Sequence, residues 1–219
     1  MRGCSAAEAA LEARGLAVRV EEDPAGWVRH LRAAPGGCGV NPAFDPGRAG
    51  FGAGEGFWLA AVAADGGLAG CCACRLLPPG PFLGLLRTGR LWAREPRAGD
   101  PGPALCLDPG RLPGFRGAVG HIGGLWVHPA RRRSGLAGLL LQATRAQALA
   151  RWDPLDWETA LSFAAVAESP GLRAAYRFEH TVPCVDGWFP PTGRAERVHL
   201  NYSSRRHLLA RLGECGAPG

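Results

Sequence analysis

The residues best equipped for chemistry lie together in the stretch HPARRRSGLAGLLL, His128 to Leu141. Three consecutive arginines, Arg131, Arg132 and Arg133, follow an apolar run closed by Pro129. The small residues Ser134, Gly135, Ala137 and Gly138 then open the next apolar segment. A helix beginning near Ser134 has amide N–H groups in its first turn with no partner inside the helix. They sit at the positive end of the helix dipole, and such an end binds anions, phosphate above all. Gly135, Ala137 and Gly138 leave room for a bulky phosphate to reach the backbone of Ser134 to Gly138, Leu136 included, and Arg131, Arg132 and Arg133 add charge at the same mouth. The chemistry this arrangement suits is a grip on a diphosphate.

Two common phosphate loops are excluded. A Walker A loop needs lysine, and all 25 basic residues of this chain are arginine. A dinucleotide fingerprint needs G-x-G-x-x-G after a first strand, whereas the order here is Arg132-x-x-Gly135-x-Ala137. The eight cysteines, at 4, 38, 71, 72, 74, 106, 184 and 215, are irregularly spaced. The run CCAC at 71–74 has no distant CxxC partner and no paired histidines, so no zinc site is expected. In a strand Cys72 and Cys74 share one face and Cys71 takes the other, the pattern of small buried thiols.

Around the arginine loop, AVGHIGGLWVHP (118–129) reads as a strand ended by Pro129, and 134–151 reads as a helix with apolar residues at helical spacing. Upstream, Ser5 and Glu8 have the spacing of a capping box for a helix over 5–14. A strand at 16–22 follows, then a helix opened by Asp23 and Pro24. Residues 34–54 read as loop. FWLAAVAADGGLAGCCACRLL reads as a hairpin turning at Asp65-Gly66. Residues 78–118 form a Pro- and Gly-rich insertion with a strand candidate at GRLWARE (89–95). Downstream come a strand at 157–167, a helix opened by Ser169 and Pro170, two strands in FEHTVPCV and AERVHLNYSS, and a short closing helix. A hairpin followed by interleaved strands and helices predicts an α/β or α+β fold with a mixed sheet.

Length and composition fit one domain spanning 1–219, since 219 residues at 47% hydrophobic content can bury a full core. No apolar run reaches 18 residues, so no membrane partner is expected. The N-terminus lacks the apolar region of a secretory signal. A cytoplasmic location, where disulfides are not expected, is the reading. The net charge of +6 accompanies 33 glycines, 19 prolines and no lysine, a bias of GC-rich codons. The charge is therefore discounted as a sign of nucleic acid, and there is neither a recognition motif nor a dense basic tail.

The sequence Arg132-x-x-Gly135-x-Ala137, with WVHP before it and a leucine-rich helix after it, resembles the acetyl-CoA-binding motif of the GNAT superfamily of N-acyltransferases, [QR]-x-x-G-x-[GA]. The resemblance is strongest over 119–145 and extends in element order over 16–203. It implies a mostly antiparallel central sheet flanked by helices, with parallel strands 4 and 5 splayed apart to hold an acyl-pantetheine arm. It implies that backbone groups of Leu125, Trp126 and Val127 bond the arm and the acyl oxygen. His121 stands where the family often has a glutamate base, and an imidazole titrating near 6.5 can accept a proton at neutral pH. The family's acid is a tyrosine in L-Y-x-x-x-G-F. Ungapped alignment of LRAAYRFEH puts Arg173 at that position and Tyr176 three residues later, nearly one helical turn on. His128 is read as a surface or loop residue.

The expected activity is transfer of an acetyl group from acetyl-CoA, as co-substrate and without a metal, to a primary amine of a small molecule or protein. A non-catalytic acyl-CoA-binding protein of the same fold is the alternative. The acceptor pocket is expected from the early helical segment, 34–54 and 78–118, with Trp27, Phe57, Trp58 and Trp92 as wall or core. The stretch VDGWFPPTGR (185–194) reads as a connection that covers the cleft or mediates a homodimer, and the two alternatives stay open.

Overall fold

The computed structural model describes residues 5–214 apart from 37, 38, 53, 79, 81, 97, 98 and 100; Cys4, Cys38 and Cys215 lie outside the described residues. The hairpin forms where its turn signal falls. Strands β2 (Gly56–Val62) and β3 (Leu68–Leu76) pair antiparallel. The Asp65 carboxylate accepts from the Gly67 amide at their turn. Both strands are buried along nearly their whole length because elements cover both faces of the sheet. Cys71 packs on one face, Cys72 and Cys74 on the other. Burial pushes the Cys71 and Cys72 thiols up to about 12, so they pack as small apolar groups.

Strand β1 (Ala17–Glu21) pairs with β2 at one edge. It lies between α1 (Ala6–Glu12), which starts from the reciprocal Ser5 and Glu8 box, and α2 (Pro24–Ala33), capped by Asp23 with Pro24 first in the helix. On the other side of β3 lies β4 (Val119–Val127), joined through α5 (Leu136–Arg151) to β5 (Trp157–Phe163), which runs parallel to β4. The helix α7 (Pro170–Tyr176), opened by Ser169, leads to β6 (His180–Phe189) and β7 (Arg194–Ser204), and α8 (Arg205–Glu214) closes the chain. The described strands make one seven-stranded mixed sheet in the order β1-β2-β3-β4-β5-β7-β6, antiparallel except at β4–β5. The expected mixed sheet with parallel strands 4 and 5 is the one observed.

Each face of the sheet carries its own core. Leu11, Leu59, Ile122, Leu140 and Leu155 pack on the side of α1 and α5. Trp27, Phe44, Phe82, Leu91 and Phe115 pack on the side of α2 and the 78–118 segment. Each such side chain stabilises the fold by about 1.5–3 kcal/mol through burial.

Four local expectations are corrected. Residues 34–54 are not all loop, because Asn41 and Asp45, each followed by proline, cap a 3₁₀ turn (Pro42–Phe44) and the short helix α3 (Pro46–Ala49). GRLWARE is not a strand. The preceding FLGLLR forms α4 (Phe82–Arg87), and Leu91 and Trp92 turn inward into the core. The strand expected over 157–167 stops at Phe163, and the Ala-rich residues after it coil into α6 (Ala164–Ala167). Finally, 185–189 are strand rather than connection, with Val185 to Phe189 paired to β7.

Candidate active site

Strands β4 and β5 pair only at Val119 with Trp157, Gly120 with Glu158 and His121 with Thr159. Beyond that point they part, each held by its antiparallel neighbour. β4 also bulges, its register against β3 shifting between Cys71 and Ala73. Gly124 sits in the bulge at φ +58°, and a Cβ there would lie 2.2 Å from the Trp27 ring. Only glycine meets both demands, a left-handed backbone and a ring pressed against it. The parted strands open a cavity of about 310 Å³, walled by Ile122 to Trp126 and by Ala160 to Phe163. Leu141, Tyr176 and Phe178 line it on the α5 side of the sheet, Leu31, Trp92 and Phe189 on the other. The cavity therefore passes through the sheet. Its β4 and β5 walls keep backbone groups that no neighbouring strand consumes.

The arginine loop lies between β4 and α5. His128 is half-buried, and its Nδ1 accepts from the Ala130 amide at 3.2 Å, starting a 3₁₀ turn over Pro129–Arg131. Arg133 and Gly135 take left-handed conformations, φ +65° and +79°. No side chain caps α5, and a Cβ at Gly135 would meet nothing within 4 Å. Ser134 and Gly135 are exposed, and the Ser134 hydroxyl donates backwards to the Arg131 carbonyl rather than to the helix. Arg132 braces the loop, donating to the carbonyls of Val127 at 3.3 Å and Gly36 at 3.1 Å. Two expected members of the grip have other work. The Leu136 side chain is core, and Gly138 is small because α7 passes over it, a Cβ there falling 3.1 Å from the Ala175 carbonyl. Their amides belong to the first turn of α5, where the helix itself offers no partner.

Tyr176 is the last residue of α7 and lines the cleft. Burial pushes its phenol above the ordinary range, so it stays protonated. Its place is held by a buried ion pair. Arg145 Nε lies 2.8 and 2.9 Å from the two Glu158 oxygens, its Nη1 donates to the Tyr176 carbonyl at 2.6 Å, and its guanidinium covers the Phe178 ring at 4.6 Å. One side chain thus ties α5, β5 and the end of α7 together.

His121 is not brought to the cleft. It is fully buried at the closed end of the splay, with Nδ1 3.0 Å from Thr159 Oγ1 and the Phe44 ring stacked at 5.5 Å. Burial, helped by the Arg75 charge, pushes its pKa down to about 3. The expectation of a titrating base is corrected here: the imidazole is neutral and enclosed by rings that reach it from distant segments. Leu125 and Trp126 line the cleft, while the Val127 carbonyl is taken by Arg132. Of the four aromatics proposed for the acceptor wall, Trp92 lines the cleft and Trp27, Phe57 and Trp58 are core.

Sequence reading missed several residues. Ser162, Phe163, Phe189 and Asn201 line the cleft, and Arg14 donates to the Ser134 carbonyl at 2.8 Å from 120 positions away. No local pattern marks Arg14, whereas β5 residues after the parting point were readable once β4 and β5 were paired.

A parallel strand pair that parts over a cleft, beside an exposed and uncapped helix end, defines an acyltransferase. The chain belongs to the Acetyltransferase (GNAT) family, whose profile matches residues 39–167. Its structure is similar to that of Arabidopsis thaliana NAA60 in complex with acetyl-CoA, at 13% identity over 87% of this chain and 99% of that one, TM-score 0.51. It is similar also to spermidine/spermine N-acetyltransferase SpeG from Vibrio cholerae in complex with manganese ions, at 13% identity over 90% and 97%, TM-score 0.50. At such identities the likeness is one of fold. No curated protein matches the chain. Among the described residues no group of three or more His, Cys, Asp or Glu could hold a metal ion, and no helix is long and apolar enough to cross a membrane.

Proposed function

We propose that the protein transfers an acetyl group from acetyl-CoA to a primary amine by direct attack, with both substrates bound together. The observation that carries this reading is the exposed, uncapped start of α5 opening beside the parting of β4 and β5. Acetyl-CoA supplies an acyl group activated as a thioester. The amides of Gly135 to Gly138 receive its diphosphate, with Arg133 and Arg14 adding charge and Arg132 holding the loop in shape. The backbone of Leu125 and Trp126, fixed by the sheet, bonds the arm and polarises the acyl oxygen without reorganising. The protonated phenol of Tyr176 is the donor for the departing sulfur. The apolar cleft disfavours an ammonium ion, so the amine enters as its free base with its proton left to bulk water. The second proton, shed by nitrogen as the amide forms, restores the Tyr176 phenol that protonated the sulfur, and His121 takes no part.

The enclosure of His121 favours the second reading, an acyl-CoA binder without turnover, and one experiment separates them. Acetyl-CoA at about a hundred times its dissociation constant is expected to raise Tm by about 5–10 °C, and thiol release with an amine panel reports turnover. In Gly135→Glu the carboxylate enters the phosphate site and the shift is expected to vanish. In Gly135→Asn, a residue that tolerates the left-handed backbone, the shift is expected to remain. A full shift in Gly135→Glu would overturn the placement.

A further inference from the structure

On the strength of the proposed function, we infer that the acceptor is a primary monoamine carried on an aromatic or apolar body, and that polyamines are excluded. Among the described residues lining the cleft there is no carboxylate and no cation; its polar side chains are amides, hydroxyls and the indoles of Trp92 and Trp126. Asn201 is already engaged, accepting from Thr181 at 2.9 Å and donating to Ser162 Oγ at 2.7 Å. On the side of the sheet away from α5, three aromatic rings from three segments converge. Trp92 meets Phe189 edge-on at 5.3 Å, and Phe163 meets Phe189 edge-on at 6.2 Å. Phe163 is 43% exposed although it ends a core strand. A large exposed ring at the rim of an apolar cavity is where a ligand ring gains a partner.

The electrostatics point the same way. The reacting amine must become neutral, and an uncharged apolar cleft favours that form. Each further ammonium of a polyamine would find no carboxylate in the cleft. The one in the adjoining hollow, Glu179, shares that hollow with Arg173 and already accepts from the Ser204 amide and hydroxyl at 2.8 and 2.7 Å, so the desolvation cost is poorly repaid. The chain's net charge of +6 also repels a polycation from solution.

The test compares 2-phenylethylamine with spermidine on the full chain, following thiol release from acetyl-CoA, with Phe163→Glu, Phe163→Leu and Thr192→Glu alongside. Thr192 lines the cleft between β6 and β7 and is the second carboxylate site should Phe163→Glu not fold. For the wild type, kcat/KM is expected to be at least about 100-fold higher for phenylethylamine. Phe163→Leu is expected to keep the preference, and a carboxylate at either position to narrow it at least about 10-fold. Spermidine used as well as phenylethylamine by the wild type overturns the inference, and so does turnover of other amines of the panel but not of phenylethylamine. An absent acetyl-CoA shift, or a shift without thiol release on any amine of the panel, overturns instead the proposed function beneath it.

Discussion

At the residue scale the most instructive side chain is His121. Its place at the start of β4 was legible from the strand pattern, and so was the family position it occupies. Its environment was not, because the rings of Phe44 and Phe82 that enclose it come from the 3₁₀ turn and from α4. The enclosure has a measurable consequence. The folded-state pKa of about 3 lies below the ordinary 6.5, so the unfolded chain takes up the proton first as pH falls. The stability linked to this group is complete above pH 6.5 and is lost as pH drops from 6.5 towards 3, by about 3 kcal/mol between pH 7 and 4. In His121→Gln that part of the acid loss is expected to disappear, seen as a flatter dependence of urea unfolding on pH. An equal acid slope in the two proteins would mean that the imidazole is not held neutral. Tyr176 is the contrasting case. Three residues beyond the family's tyrosine position, it nevertheless lines the cleft, at the end of α7 where Arg145 holds its carbonyl.

At the scale of elements, the parting of β4 from β5 depends on β4 being bent. The bend is built from the bulge at Gly124 and the Trp27 ring that fills the space a side chain would need. Gly124→Ala is expected to cost about 2–4 kcal/mol, since it adds both backbone strain and overpacking. Gly171→Ala, in α7 where an added Cβ meets nothing, is expected to stabilise by about 0.5–1 kcal/mol. Denaturant midpoints of the two variants check the order, and a neutral Gly124→Ala would remove the argument for a built bulge. The elements themselves were largely readable. Ser5 with Glu8, Asp23 with Pro24, Ser169 with Pro170 and Asp65-Gly66 mark their starts and turn by local chemistry. The errors fell where local signals compete. β-prone residues in GRLWARE were drawn into the core from a turn, and β5 gave way to the Ala-rich α6.

For the whole molecule, the sheet has to end without leaving an open template for another chain. At β6 the segment 104–106 covers part of that edge. Ala104 donates to the Trp188 carbonyl and accepts from the Asp186 amide, and Cys106 donates to the Cys184 carbonyl. Leu105 bridges Val185 between them. Ala104→Pro removes one of these donors, worth about 1 kcal/mol, and uncovers backbone groups of β6. It is expected to raise self-association, measured by light scattering against the wild type at equal concentration. A variant as monodisperse as the wild type would show that the strap is not what protects the edge. The strap also gives the insertion a role that its composition concealed, since Pro- and Gly-rich sequence states what it cannot form, not what it lies against.

The sequence by itself determined most of the elements, the arginine loop with the free amides of the helix after it, and the order in which the main strands and helices alternate. These follow from nearest-neighbour chemistry: caps, turns, side-chain period and the free amides of one helix end. Only the tertiary structure decided that His121 is sealed, that Tyr176 reaches the cleft, that Arg14 touches the loop, and that Trp92, Phe163 and Phe189 meet in one aromatic wall. Each of those depends on segments far apart in the chain meeting at one point, and burial and electrostatic environment belong to the meeting rather than to any one segment.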